Sequence, residues 1–365
     1  MLRPEKLWCG KLWLVALGVM LLVGCQNATK PIDTTPASTQ AGAYILCEGL
    51  WRQDNSTLSR YDASTATVSN DFFSRVNTGL RIGDTANDMV LQGDTLFIAV
   101  STSRSIEILR ASTGVWLGRI RLAGMSQEPR RITLADDSTG FVSNLNDDSI
   151  TEFDTRTFTI RTPRIAVGPT PEGIASSGKY VFVANSGYGD FRAKEAKAGT
   201  ISVLDIRSRQ EIRTLEDLPN AGDLLMNSTK TRLYAAYKNL PSKSDSLGGI
   251  VEYDVASLQE LRRWRIKSPF ALNFSATGDT LFYLGGSGVE LLALRQADAK
   301  PISAIRKTET NALWYGLAVH PRSSELWICN ARDYSVNGEV VVMRLGGDIV
   351  RRFDVGINPN TIIFF

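Results

Sequence analysis

The sequence predicts an all-β chain, a seven-bladed β-propeller of four-stranded blades whose ring is closed by the C-terminal strand pairing into the first blade. Three observations predict it. In residues 167–205, three apolar runs of strand length are separated by Gly, Ser and Asn turns, and none is long enough for a helix. The same pattern recurs in seven units spaced 39 to 51 residues apart. The first unit lacks the run that opens the other six, and a matching run stands at 358–364.

The third run of each unit is the ruler. It ends at Asp62 (LSRYD), Arg110 (IEILR), Asp154 (ITEFD), Asp205 (ISVLD), Asp254 (IVEYD), Ala293 (VELLA) and Arg344 (VVVMR). The second run precedes it: AYILCEG from Ala43, TLFIAVS from Thr95, TGFVSN from Thr139 and YVFVAN from Tyr180, then RLYAAY from Arg232, TLFYLGG from Thr280 and ELWICN from Glu325. A more polar fourth run follows, as in WLGRIRL from Trp116 and ELRRWRI from Glu260. The first run reads ANDMVL from Ala86, PRRITL from Pro129, PEGIAS from Pro171, AGDLLM from Ala221, PFALNF from Pro269 and YGLAVH from Tyr315. Closing the first unit with the C-terminal copy removes the sheet edges that an open ring would expose. The recurring Asp62, Asp154, Asp205 and Asp254 precede turn sequences and read as Asx turns, whose side chains accept backbone N–H bonds.

The N-terminus reads as a targeting segment. Basic residues come first, then an apolar run at 12–23 that is too short to span a bilayer comfortably, then Gly24-Cys25. This resembles a bacterial lipobox, which predicts a signal peptide at 1–24, cleavage before Cys25 and lipidation of that cysteine. Residues 26–41, rich in Thr, Ser, Pro and Ala, read as a tether, so that 25–41 carries the anchor and 42–365 the propeller. The expected location is the outer membrane, lipid-anchored, on its periplasmic or cell-surface face. Net charge is +3, of which +2 lies in the first 24 residues, so the rest has no basic footprint for nucleic acid. Of the four cysteines, Cys47 and Cys329 fall in the propeller. They sit one residue out of step in equivalent strands, which turns their side chains to opposite faces and predicts two unpaired thiols.

In a propeller the first strand of each blade lines the channel. The links between blades and the loops joining second to third strands emerge on one face. Those loops are long at 48–56, 186–199, 238–249 and 331–338, as is the link at 74–84, whereas turns of the other face, near Gln92, Ser176 and Ala276, are tight. Long loops gathered on a rigid scaffold are where function concentrates. The candidate ligand-binding residues on this face are Trp51, Arg52, Arg81, Arg130, Tyr188, Phe191, Arg192, Trp314, Tyr315 and Tyr334, aromatics and planar cations of the kind enriched at binding hot spots. The alternative is that Trp51 and Trp314 wedge between blades while the charges form a solvated rim.

Little points to catalysis. The single histidine, His320, falls in a turn on the face opposite the long loops, which leaves no partner for a multi-histidine metal site or a histidine-assisted nucleophile. Walker and dinucleotide-binding glycine patterns are missing. Asp84, Asp88, Glu128, Glu172 and Asp223 fall near the starts of inner strands, where a ring of carboxylates could hold Ca²⁺, but Arg81, Arg130 and Arg131 share that zone and would pair with them. The expectation is no catalytic residue, no metal, no cofactor and a protein that is not an enzyme.

The repeated Pro-x-x-Ile, Tyr-Val-Phe-Val-Ala-Asn and Ile-Ser-Val-Leu-Asp from Ala43 onward resemble the YncE-like seven-bladed propeller family. The opening GAYILCEGLWRQDNSTLSRYD, followed by NDFFSRVN and GDTANDM, is similar to lipid-anchored surface propellers. In these the first blade reads Asn-Glu-Gly, then Asn, then Leu-Ser-x-Tyr-Asp. Cobalamin-capturing lipoproteins of the BtuG type, which cap an outer-membrane cobalamin transporter, belong to that group. Here Cys47 stands where asparagine is usual, while Glu48, Gly49, Asn55 and Asp84 match. The resemblance implies an extracytoplasmic binding protein with a small-molecule ligand such as cobalamin and an outer-membrane transporter as partner. Residues 26–35 lack the acidic cluster often found after the lipidated cysteine of surface-exposed lipoproteins. Two alternatives stay open: a propeller hydrolase such as a lactonase with a channel-mouth metal, and an envelope scaffold for other proteins.

Overall fold

The computed structural model describes residues 42–243, 247–309 and 312–365. The expected signal segment, Cys25 and the expected tether lie outside the described residues. Seven four-stranded antiparallel sheets form the seven blades, in the order the repeats predict. Blade one is built from both ends of the chain. Its inner strand Pro359–Phe364 pairs with Gly42–Cys47, which pairs with Thr57–Asp62 and then Thr67–Ser69. Gly42 and Phe365 exchange backbone hydrogen bonds of 3.0 and 3.1 Å at the end of this closure.

Strand ends differ from expectation by a residue in places: the inner strands of blades six and seven are Phe270–Phe274 and Trp314–Val319, and blade seven's third strand stops at Met343. A one-turn helix, Phe72–Val76, follows the short fourth strand of blade one and was not foreseen. It buries Phe73 and lays Phe72 against Tyr44 with ring centroids 5.9 Å apart. Middle strands such as Tyr180–Asn185 are buried on both faces, while fourth strands such as Thr159–Ala166 alternate with solvent. The apolar cores accordingly lie between blades, in layers shared by neighbours. The expected Asx turns are present: Asp62, Asp154, Asp205 and Asp254 each accept backbone amides two or three residues on.

One polar device fastens the ends of several second strands. Asn185 accepts the Gly168 amide at 3.0 Å and donates to Thr200 and Ser202, each at 3.0 Å. Asn144 donates likewise to Ser149 and Thr151, and Asn330 accepts the Leu313 amide and donates to Glu339. In blade one this place is held by Cys47, opposite Thr57 and against Gly356, the counterparts of Thr200 and Gly168. The thiol meets Thr57, Gly356 and Ser59 but is too weak a donor and acceptor to replace the amide, and Thr57 Oγ1 is left buried without a hydrogen bond of ordinary strength.

Cys47 and Cys329 are both free, as expected, and both are buried, but opposite strand faces do not keep them apart. The one-residue offset does turn them to opposite faces of equivalent strands. Blades seven and one are neighbours, however, so those faces look at each other, and both thiols lie in one core layer with Trp327, Val355 and Ile362. Burial pushes the Cys47 thiol up to about 12 and raises Cys329 well above its ordinary value.

His320 closes the turn after the inner strand of blade seven. Its Nδ1 accepts the amides of Arg322 and Ser323 at 3.3 and 3.0 Å, and its ring packs on Phe364 of blade one at 4.8 Å. Burial, helped by the charges of Arg322 and Arg351, holds its pKa below the ordinary imidazole value.

Two outcomes follow from these contacts. Replacing Cys47 with Asn supplies acceptors and donors for Gly356, Thr57 and Ser59, so Cys47→Asn raises stability by about 1 kcal/mol, and thermal unfolding shifts up by roughly 2 °C. Because His320 is the only histidine, its titration is read as a single imidazole signal by NMR, with a midpoint below the free value of about 6.5. Between those two values the unfolded chain binds more protons than the folded one. Stability therefore rises with pH through that window and levels off above it, and His320→Gln removes the slope in urea titrations.

Candidate functional site

Every inner strand carries one extra residue near its start. The register breaks between Ala86 and Asp88, Pro129 and Ile132, Pro171 and Ile174, Ala221 and Leu224, Phe270 and Asn273, and Trp314 and Gly316, and opposite Leu46–Cys47 in blade one. Such a bulge interrupts the ladder and re-aims side chains. The residues it releases are Asn87, Arg130, Arg131, Glu172, Asp223, Tyr315 and Asn360, and they line a cavity of about 470 Å³ at the long-loop end of the channel. Gly173 and Gly316 sit at this level because a Cβ there would come within 2.2 Å of Gly222 O and 2.1 Å of Asn360 O. Glycine therefore sets how closely neighbouring inner strands approach.

The charged half of the cavity is an ion-pair network. Arg130 Nε donates to Glu172 at 2.9 Å, its terminal nitrogens contact Asn87 Oδ1 and lie 3.5 Å from Glu48, and Tyr315 Oη donates to Glu48 at 2.8 Å. Arg131 bonds the Asn87 carbonyl at 3.0 Å and contacts Asp88 at 3.4 Å and Asp223 at 3.8 Å. Asp88 also accepts the Ile132 amide at 2.8 Å, and Asp223 the Ala271 amide at 2.5 Å. Burial raises the Asp88 pKa, with Arg131 opposing it, and burial together with Glu48 raises Tyr315. The other half is apolar, with Phe270, Ala271, Leu272 and Leu317, and Lys238 Nζ stands 5.2 Å from the Phe270 ring centroid.

Around this mouth rise the long loops. Among the described residues, the strongly exposed aromatics are Trp51, Tyr188, Phe191 and Tyr334, and all four come from second-to-third-strand loops of this face. Phe191 is 84% exposed and meets Tyr188 edge-on at 6.5 Å. Tyr334 meets Tyr315 edge-on at 5.6 Å, which links the rim to the cavity.

The ten candidates therefore separate into groups. Arg130 and Tyr315 converge on Glu48 at the mouth. Trp51 stands exposed with the Arg52 guanidinium 4.2 Å over its ring, and Arg81 pairs with Asp54 of the same loop at 3.5 Å. Tyr188 and Phe191 crown blade four. Arg192 beside them is a strut: it pairs with both oxygens of Asp148 at 2.7 and 2.6 Å and with Glu195 at 2.6 Å, so its guanidinium fastens the loop to blade three. Trp314 packs in the layer between blades six and seven with Lys307 5.8 Å from its ring, as a wedge, whereas Trp51 is no wedge. Asp84 is not among the residues lining the cavity and caps the 48–56 loop through the amides of Arg52 and Asp54 at 3.0 and 3.1 Å. Glu128 accepts from Asn146. Glu48 and Lys238 open long loops of this face and Asn87, Phe270 and Asn360 lie on inner strands, but the sequence singles out none of them as a site residue, because the bulges decide which of these side chains enter the channel.

Each of the four channel carboxylates, Glu48, Asp88, Glu172 and Asp223, contacts an arginine, so the set does not suit a Ca²⁺ ion. Among the described residues no three His, Cys, Asp or Glu side chains converge in a metal-binding arrangement.

Residues 41–345 match the family described as a domain of unknown function, DUF5074. The chain belongs to that family. No curated protein matches it. Among solved structures, it is similar to a quinoprotein alcohol dehydrogenase-like protein from Bacteroides thetaiotaomicron, at 17% identity and TM-score 0.68 over 89% of this chain and 78% of that one. A periplasmic gluconolactonase from Pseudomonas aeruginosa is 15% identical, with TM-score 0.65 over 88% of this chain and 99% of its own. Hydrazine synthase from Kuenenia stuttgartiensis is 16% identical, with TM-score 0.62 over 77% and 95%. At these identities the likeness is one of fold.

The strut gives a direct outcome. Arg192→Met frees the 186–199 loop, lowers stability by about 1 kcal/mol and speeds amide exchange at 187–198 without affecting other blades. Arg192 holds the Asp148 pKa below its ordinary value, so the pair contributes above that value and is lost as pH falls through the lowered one. Acidifying the wild type below the lowered Asp148 value therefore reproduces the same exchange pattern.

Proposed function

We propose that this protein is a lipid-anchored, extracytoplasmic binding propeller that captures a small ligand of the cobalamin class through its long-loop face. The observation that carries this reading is the coincidence of a channel-mouth cavity with the four exposed aromatics around it. A concave, half-apolar site with a few fixed polar groups is the usual form of a ligand pocket. Its loops are fastened to one another as well as to their blades: Asp190 of blade four's loop caps Ser242 of blade five's loop at 2.7 Å, and Asn220 accepts the Gly189 amide at 3.2 Å. Such preorganisation lowers the entropy lost on binding.

The described chain enters the propeller away from the long loops. Gly42 lies at the tight-turn end of blade one, opposite Asp62 and beside Phe365, and Cys25 precedes it by 17 residues. The mouth also holds four carboxylates against Arg130, Arg131 and Lys238, a balance that suits neutral ligands and disfavours anions. This argues against an aldonate or sugar-phosphate hydrolase despite the gluconolactonase among the fold neighbours.

Titration calorimetry of the detergent-solubilised full-length protein with cyanocobalamin tests the reading. One-to-one binding with micromolar or tighter affinity is expected. Gly222 offers a plug, since a Cβ there meets only Ala236 O at 4.0 Å, so Gly222→Phe fills the cavity and weakens binding by at least about tenfold. Phe191→Ala is expected to cost a similar factor. Absence of heat with the wild type removes cobalamin, and retained affinity in both variants removes this face.

A further inference from the structure

Among the described residues, six buried side-chain polar atoms lack a hydrogen-bond partner, and five of them belong to blade one or to its seam with blade seven: Thr57 Oγ1, Arg60 Nε, Trp327 Nε1, Asn358 Oδ1 and Asn360 Oδ1. Blade one is also weaker in its frame. Its inner strand, Pro359–Phe364, comes from the far end of the chain, so no loop ties it to Gly42–Cys47 and only hydrogen bonds and packing hold it. Its fourth strand, Thr67–Ser69, has three residues, whereas the fourth strands of the other blades have five to nine. Unpaired buried polar groups and a short ladder both subtract from local stability, and units of low local stability open before the whole fold does.

The seam that these defects weaken is the layer that contains both free thiols. We propose that Cys47 and Cys329 form a two-thiol modification site for small thiol-directed electrophiles, exposed together when blade one opens. In the closed ring neither side chain reaches solvent, and burial keeps both thiols protonated and unreactive. Release of Pro359–Phe364 uncovers Ile362, Cys47 and the facing side of blade seven, where Cys329 sits between Trp327 and Val340. In water each thiol then regains its ordinary acidity. With iodoacetamide the proton goes to buffer, the thiolate sulfur forms an S–C bond, and iodide leaves with the C–I electrons. Six blades, each with its four strands consecutive in the chain, stay folded through this event.

Full-length protein is labelled with iodoacetamide in native buffer, and each cysteine is followed by peptide-resolved mass spectrometry beside the global unfolding rate from circular dichroism. Cys47 and Cys329 are expected to label with one common rate, at least about tenfold above that allowed by global unfolding. Ile362→Ala, which loosens the closing strand, speeds both, whereas Leu233→Ala in the core beside blade five leaves both unchanged in native buffer. Cys47→Asn, which restores the asparagine fastening, slows Cys329 at least about threefold. If both thiols label only at the global unfolding rate, or if Cys329 ignores Cys47→Asn, the proposal is overturned. Should Ile362→Ala fail to fold, the Cys47→Asn comparison still decides.

Discussion

One extra residue per inner strand governs the long-loop end of this molecule. A regular inner strand would alternate its side chains between the two inter-blade layers and leave the channel lined by backbone. The bulge near each strand's start breaks that alternation and turns a side chain such as Asn87, Tyr315 or Asn360 into the channel. Below the bulge the ladder resumes, and the apolar residues return to the layers between blades. The ring can therefore be a well-packed apolar solid through most of its depth and polar at one rim.

What the bulges deliver is held by mutual constraint. Arg130 and Arg131 are adjacent in sequence and carry like charges, an arrangement that costs energy unless acids separate them. Glu48 and Glu172 take one, Asp88 and Asp223 the other, and Asn87 bonds both through its side chain and its carbonyl. Partly buried ion pairs repay their desolvation only when geometry is good and further hydrogen bonds complete them. The amides of Ile132 and Ala271 do so for Asp88 and Asp223. The result is a rigid polar floor facing an apolar wall.

The fold was legible because its information is local and repeated. Period-two runs, Asx turns after the third strands and a missing first run each appear in a single stretch of sequence, and seven copies reinforce one another. Ion pairing of Arg130 and Arg131 with the nearby acids was legible for the same reason, since inner strands adjoin around the ring. The rest depends on distance in sequence. Arg192 looked like a ligand residue because Asp148, its partner, lies 44 residues upstream in another blade. Cys47 and Cys329 looked unable to meet because strand faces were compared within a blade, whereas the relevant faces belong to neighbours. Bulges leave no reliable trace at all: PRRIT and PEGIA read as ordinary strand starts.

Ring closure and the cavity are one structural event. Glu48, on which Arg130 and Tyr315 converge, follows directly after Gly42–Cys47, and its backbone amide donates to the Asn358 carbonyl at 2.9 Å. Gly49 donates to Ile357 at 3.1 Å, and Asn358 Nδ2 returns a bond to the Gly49 carbonyl at 2.9 Å. The C-terminal segment thus fixes the start of the loop that carries Trp51, while Asn360 on the same strand bonds the Ala86 carbonyl of blade two at 3.0 Å. Until the last strand docks, the mouth lacks Asn360, Glu48 has no fixed position and the first long loop has no base. The seam proposed to open first is for that reason also the one on which the proposed binding face depends, and occupancy of the mouth would stabilise the closed ring by the ordinary linkage between binding and folding.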